Sequence, residues 1–249
     1  MIVLNNLSVI YEDETVGLEN ISLEFTPGEF TVLLGASGAG KSTLLRCINL
    51  LTIPTRGQVI VDGLGTLNNP KALRKHRQKT GMIFQQHQLL PRQTALKNVL
   101  IGRLAYHSTF RSFFPLPKID QIIALDCLDR VGLLNKALTP VKQLSGGQQQ
   151  RVGIARALAQ QPRFLLADEP VASLDPGSSH KILANLKKIC QEDGIGAVVS
   201  LHQIDLALEY GDRIIGLAGG NILFDSHPSE IKSQQLEKIY QTSSLMKTV

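Results

Sequence analysis

The sequence predicts an α/β fold: a mostly parallel sheet flanked by helices, with an antiparallel strand patch at the N-terminus and an inserted helical segment. Three observations predict it. From residue 164 onward, short β-rich apolar runs alternate with helix-like spans, the pattern of parallel strands joined by crossover helices. The apolar run Phe30–Leu34 leads straight into a glycine-rich segment and then into helical spacing over residues 43–51. From about residue 86 to 160 the pattern is helical.

In chain order, residues 2–4, 8–11 and 21–25 carry β-formers and are predicted as three short strands. Glu12-Asp13-Glu14 and Thr26-Pro27-Gly28 interrupt them. Residues 59–61 form another short strand. The run Lys-Ala-Leu-Arg-Lys-His-Arg-Gln-Lys at 71–79 is read as a solvated helix face, with a phosphate-contacting patch as the alternative. Residues 120–131 place Ile122, Ile123, Leu125, Leu128 and Val131 at helical intervals, and residues 146–159 form a further helix. Strands over 164–167, 197–201 and 214–217 then alternate with helices over 178–190 and 206–210. Gly219-Gly220-Asn221 reads as a hairpin turn into a strand at 222–224.

The 249 residues suffice for one large domain or two modest ones, and 43% hydrophobic against 19% charged residues places the chain among folded globular proteins. Its apolar runs fall short of the roughly 18 residues a membrane helix needs. The first residues lack the basic-then-apolar pattern of a signal peptide, so a cytosolic location is expected. Cys47, Cys127 and Cys190 are far apart, form no CxxC pair and have no neighbouring histidine, which excludes a disulfide framework and argues for buried thiols. The net charge of +5 suits an anionic partner: nucleic acid, a membrane surface or a phosphate-rich ligand. Aromatic residues are scarce, yet Tyr106, Phe110, Phe113 and Phe114 gather in one segment.

Gly35-Ala36-Ser37-Gly38-Ala39-Gly40-Lys41-Ser42 matches the phosphate-binding loop G-x-x-x-x-G-K-[ST]. Glycines let backbone N–H groups close around phosphate oxygens, and the loop delivers the anion to a helix N-terminus whose dipole favours negative charge. Lys41 supplies a point charge for the β- and γ-phosphates, and Ser42 offers a hydroxyl to Mg²⁺. Residues 164–167 lead into Asp168 and Glu169, so both carboxylates fall at the carboxyl edge of the sheet, where α/β folds bind ligands. Asp168 would hold the metal, and Glu169 would accept a proton from, or orient, an attacking water. Read alone, the Asp-Glu pair is a helix cap; the phosphate loop favours the functional reading.

Leu144-Ser145-Gly146-Gly147-Gln148 resembles the signature motif of ABC-type ATPases, and is also a sound N-capped helix start. Other elements of that family follow in register. The resemblance implies that Tyr11 stacks on adenine, that Gly35, Ser37, Gly38, Gly40, Lys41, Ser42 and Thr43 hold the nucleotide, and that Gln85 senses Mg²⁺ and water. It implies that Asp175, in Ser173-Leu174-Asp175, crosses a dimer interface, and that His202 contacts the γ-phosphate. Ser145, Gly146, Gly147 and Gln148 would face the ATP held by the other subunit. The implied fold is a P-loop NTPase (RecA-like) core with an N-terminal antiparallel β subdomain and an inserted α-helical subdomain. Residues 1–85 and 160–249 would form the core and 86–159 the helical subdomain of a single nucleotide-binding domain. The implied cofactors are ATP and Mg²⁺.

A narrower similarity, to phosphonate-import ATPases, runs through residues 102–114, 166–176 and 185–217. It implies an importer subunit for phosphonate or a related phosphorus oxyanion such as phosphite. Its partners would be a second copy of the chain, transmembrane permease subunits and, indirectly, an extracytoplasmic solute-binding protein, at the cytoplasmic face of the membrane. The aromatic cluster is either a satellite core or the apolar patch that docks the membrane subunit. An ABC ATPase for another solute, an exporter or cell-division ATPase, and a nucleic-acid ATPase are the alternatives. The last usually carries a coiled coil or zinc insertion between phosphate loop and signature, and here that gap has neither sustained heptads nor cysteine pairs. The stretch after His227 is too short for the regulatory domain of larger importers.

Overall fold

The computed structural model describes residues 1–86, 88–108, 115–172 and 174–245, with 240–245 as backbone alone. Two sheets and a helical lobe organise it. The first sheet holds β1 (Ile2–Ile10), β2 (Val16–Phe25), β4 (Arg56–Val61) and β5 (Gly65–Thr66), in the order β2-β1-β4-β5, all antiparallel. The second contains β3 (Phe30–Leu34), β6 (Thr80–Ile83), β7 (Phe164–Ala167), β8 (Gly196–Leu201), β9 (Arg213–Ala218) and β10 (Asn221–Ser226). Its order is β10-β9-β3-β8-β7-β6; all neighbours are parallel except the β9–β10 hairpin.

The N-terminal prediction of three short strands is corrected to two long ones. Asn6 and Asn20 adopt φ of 50° each, a left-handed conformation that asparagine tolerates. The strands thereby pass through bulges instead of ending. Ser22 fastens one kink by accepting from the Asn6 N–H (3.0 Å) and donating to the Asn6 side-chain oxygen (3.0 Å). Gly57 faces this bulge at φ 81°, where a Cβ would stand 2.3 Å from the Asn6 carbonyl oxygen.

The parallel sheet is buried on both faces, so its strands are mostly apolar, with Thr31, Thr80 and Ser200 as buried polar exceptions. Phe30, Val32 and Leu34 of β3 face one core, shared with α3 (Ala95–Leu100), α4 (Lys118–Arg130), α5 (Gly146–Leu158) and α6 (Pro176–Asp193). Leu33 faces the other, shared with the antiparallel sheet and α1 (Lys41–Ile48). α7 (Ile204–Tyr210) and α8 (Ser233–Leu245) complete the chain. Among the described residues no helix is long and apolar enough to cross a membrane. All three cysteines are buried and free, and burial pushes each thiol up to about 12.

The basic run at 71–79 folds as α2 (Pro70–Gln78), capped by Asn69, but it is not simply a solvated face. Its C-terminal half grips the end of α1. His76 is 2% exposed, and its Nε2–H donates to the Ile48 carbonyl (2.9 Å). Arg77 donates to the carbonyls of Asn49 (3.1 Å) and Leu50 (2.7 Å). Donors at a helix C-terminus satisfy its free carbonyls, and the charge of Arg77 also complements the negative end of its dipole.

In the helical lobe, buried Arg103 donates to Asp120 (2.8 Å), to the Ala159 carbonyl (2.8 Å) and to the Gln161 side chain (3.1 Å). His107 Nε2 donates to the other Asp120 oxygen (2.7 Å). Burial alone would raise the Asp120 carboxyl, but the hydrogen bonds from Arg103 and His107, with the charge of Arg103, outweigh it and hold it below the usual carboxylate range. Of the aromatic cluster, Tyr106 packs under Arg103 (4.2 Å to the ring centroid) and donates to the Gln160 carbonyl (2.6 Å). Phe110, Phe113 and Phe114 lie outside the described residues, as does Ser173.

Candidate functional site

The carboxyl ends of β3, β7 and β8 converge on one cleft of about 390 Å³, walled by the phosphate loop, Tyr11, Gln85, Glu169 and His202. The loop owes its path to its glycines. Gly38 and Gly40 take φ of 81° and 103°, and a Cβ on Gly40 would lie 2.6 Å from the Gly17 carbonyl oxygen. Gly40 also starts α1, and no side chain caps the first N–H groups of that helix. Those donors, with the helix dipole behind them, form a cradle for an anion.

Lys41 is 4% exposed. Its ammonium reaches three acceptors: the carbonyls of Gly35 (2.8 Å) and Ala36 (2.9 Å), and Nδ1 of His202 (3.2 Å). Burial lowers its pKa to about 8, against the raising influence of Glu169 and Asp168. His202 Nε2 pairs with Glu169 Oε1. A neutral imidazole with its proton on Nε2 satisfies both contacts, donating to Glu169 and accepting from Lys41. Nδ1 is also 3.0 Å from the Gly35 carbonyl, an arrangement that this tautomer leaves without a hydrogen bond.

Glu169, one residue beyond Asp168 at the end of β7, sits at φ 48°, a conformation that costs a non-glycine residue about 1–3 kcal/mol and is concentrated at functional sites. Its Oε2 accepts from Gln85 Nε2 (2.9 Å), so Gln85 and His202 hold one oxygen each. Asp168, 3% exposed, accepts from Ser42 Oγ at 2.7 Å. Ser42 spends its proton on that bond and keeps its lone pairs. With the Asp168 carboxylate this makes an all-oxygen donor set, which fits a hard cation such as Mg²⁺ better than a soft one. Among the described residues no group of three or more His, Cys, Asp or Glu side chains could hold a metal, so a cation here would take further oxygens from water or phosphate.

Tyr11 stands at the mouth of the cleft, 41% exposed, its hydroxyl 2.8 Å from Thr43 Oγ1. Gly17 leaves room for the ring, since a Cβ there would sit 2.7 Å from its edge.

Ser145, Gly146, Gly147 and Asp175 line a different cleft of about 800 Å³, with Arg151 and Lys181. Ser145 and Gln148 form a reciprocal capping box: Ser145 Oγ accepts from the Gln148 N–H (3.3 Å), and Gln148 Oε1 from the Ser145 N–H (3.0 Å). Asp175 caps α6 by accepting from the Ser178 N–H (2.9 Å). Hydrogen bonds from Ser178 hold its carboxyl below the ordinary range. Thus the predicted residues divide in two. Tyr11, residues 37–43 of the loop, Gln85, Glu169 and His202 line one cleft, with Asp168 bonded behind Ser42; Ser145, Gly146, Gly147 and Asp175 line another. Sequence reading missed Ser200, which is fully buried and touches both carboxylate residues. A serine between apolar strand residues matches no motif.

The profile of the family described as ABC transporter matches residues 18–172. The phosphonates import ATP-binding protein PhnC 1 of Trichodesmium erythraeum is 74% identical over 244 residues, covering 98% of this chain and 97% of the relative. The phosphite import ATP-binding protein PxtA of Stutzerimonas stutzeri is 60% identical, covering 95% of this chain and 86% of the relative. Among solved structures, the dimeric post-hydrolysis state of the ATP-binding cassette MJ0796 bound to ADP and Pi superposes with a TM-score of 0.81. It is 38% identical, over 92% of this chain and 99% of that one. A profile spanning more than half the chain and a relative this similar along nearly its full length agree with the site's geometry: the chain belongs to the ABC transporter family.

Proposed function

We propose that the chain is the ATP-hydrolysing subunit of an importer for phosphonate or a related phosphorus oxyanion such as phosphite. The observation that carries the ATPase reading is the single cleft where Lys41, Ser42, Asp168, Glu169, Gln85 and His202 meet. ATP phosphates in the loop cradle would draw the Lys41 ammonium from the carbonyls of Gly35 and Ala36, because a charged acceptor outbids a neutral one. Ser42 and Asp168 would hold Mg²⁺, with Gln85 beside them, and the ion would neutralise charge on the phosphate oxygens. Glu169 would orient the attacking water and take its proton, its carboxylate aimed by Gln85 and His202.

The separation of the two clefts supports a dimer in which Ser145, Gly146, Gly147, Gln148 and Asp175 of one copy complete the nucleotide site of the other. ATP then favours the closed pair by binding it better than the open one. Residues 86–159 are read as the helical subdomain that receives permease subunits, and 1–85 with 160–249 as the core. The chain sits peripherally at the cytoplasmic face, meets the solute-binding protein only through the permease, and has no role for nucleic acid.

The likeness to the phosphonate and phosphite import proteins supports the cargo. The test reconstitutes the chain with its permease in liposomes and measures ATP hydrolysis. Phosphonate- or phosphite-loaded binding protein should stimulate it and DNA should not. Stimulation by a different solute alone would overturn the cargo, and absence of Mg²⁺-dependent hydrolysis would overturn the ATPase reading.

A further inference from the structure

We propose that Ser200 is a positioning residue for hydrolysis, one hydroxyl that sets both the metal-binding carboxylate and the water-activating one; this rests on the roles proposed for Asp168 and Glu169. Ser200 lies on β8, between β3 and β7 in the sheet and opposite Leu33. Its neighbours on the strand are Val198, Val199 and Leu201, and it is 0% exposed. Parallel strands buried on both faces normally hold apolar side chains, and a hydroxyl placed there must be hydrogen-bonded.

Ser200 uses its hydroxyl in both directions. Oγ–H donates to Asp168 Oδ1 (3.1 Å), and the oxygen accepts from the Glu169 backbone N–H (2.8 Å). On one side it is the second donor to Asp168 Oδ1, beside Ser42 (2.7 Å). Two donors on one oxygen fix the rotation of the carboxylate and direct its other oxygen. On the other side it anchors the N–H of a residue held at φ 48°. Without that acceptor the strained turn has less reason to persist, and the Glu169 carboxylate would swing off Gln85 and His202. Ser200, on β8, and His202, just past its end, meet the same residue, so one segment supplies the partner of the Glu169 backbone and the partner of its side chain.

The Ser200 hydroxyl bonds to Asp168 and Glu169 and not to the loop's N–H groups, so it should act on turnover and metal use and leave nucleotide affinity alone. The test compares the full chain with Ser200→Ala and Ser200→Cys. Each is assayed for steady-state ATP hydrolysis against Mg²⁺ concentration and for Mg²⁺-free binding of a fluorescent ATP analogue. The expected result is kcat lowered about tenfold and the Mg²⁺ half-saturation raised about threefold, with analogue affinity within about twofold. Unchanged kcat and Mg²⁺ requirement, or an affinity loss as large as the kcat loss, would overturn the proposal. Should the alanine variant fail to fold, the nearly isosteric cysteine carries the same test. If the unaltered chain shows no Mg²⁺-dependent hydrolysis, or Asp168→Asn keeps its Mg²⁺ requirement, the underlying site reading is what fails.

Discussion

Lys41 Nζ lies 3.2 Å from Nδ1 of His202, so the cation of the phosphate loop and the histidine just past β8 are in direct contact. Lys41 titrates near pH 8 in this arrangement because it is buried. Bound polyphosphate stabilises the charged form and raises that value. Nucleotide binding near pH 8 should therefore take up about half a proton, and close to none at pH 6.5. Calorimetry in buffers of different ionisation enthalpy measures this directly. Lys41→Met should abolish the uptake, and a buffer-independent enthalpy at pH 8 in the unaltered chain would refute the assignment.

Glu169→Gln keeps a side chain of the same size but removes the proton acceptor. It should bind ATP normally and lose about 10²–10⁴-fold in turnover. Size-exclusion chromatography with ATP should then show a trapped dimer. Ordinary hydrolysis by this variant would end the role proposed for Glu169.

Asp120 is a structural anion. Asp120→Asn leaves Arg103 buried without its carboxylate and should cost ~3–5 kcal/mol. The folded carboxyl is held below its unfolded range, so the unfolded chain binds the proton more readily. The stabilisation is fully present above the unfolded value near 3.8 and is lost as pH falls through the folded one. Urea titrations should show the gap between the two proteins closing in strong acid, while ATP affinity at neutral pH stays the same.

His76 works in the opposite charge state. Burial holds its pKa below 6.5, the charge of Arg77 assisting and the Ile48 hydrogen bond opposing. The unfolded chain therefore takes up the proton first, and the stabilisation from neutral His76 is present above pH 6.5 and lost as pH falls below it. His76→Gln can still donate to the Ile48 carbonyl but does not titrate. Its stability should vary less between pH 7 and 5 than that of the unaltered chain, read as the urea midpoint.

The phosphate loop and the strand ending in Asp168-Glu169 were legible because backbone chemistry constrains them locally: glycines at a turn, carboxylates after an apolar run; His202 was legible only through the family resemblance. The long first strands were not, because the left-handed asparagines that carry them past Asn6 and Asn20 look like breakers in sequence. The 71–79 run misled for a related reason. Charge suggests solvent, whereas His76 and Arg77 find their acceptors on the end of a helix 27–28 residues earlier. Ser200 was invisible because its importance comes from two residues 31–32 positions away, brought beside it by the sheet.

The buried thiols have a practical consequence. Cys47, Cys127 and Cys190 are shielded from solvent and stay protonated far above neutral pH, so they are poor nucleophiles in the folded chain. A cysteine introduced on the surface, for instance at Lys181 in the second cleft, would react with maleimide well ahead of all three. The proposed opening and closing of two copies could then be tested by fluorescence in the native background, and late labelling of the original thiols would itself report unfolding.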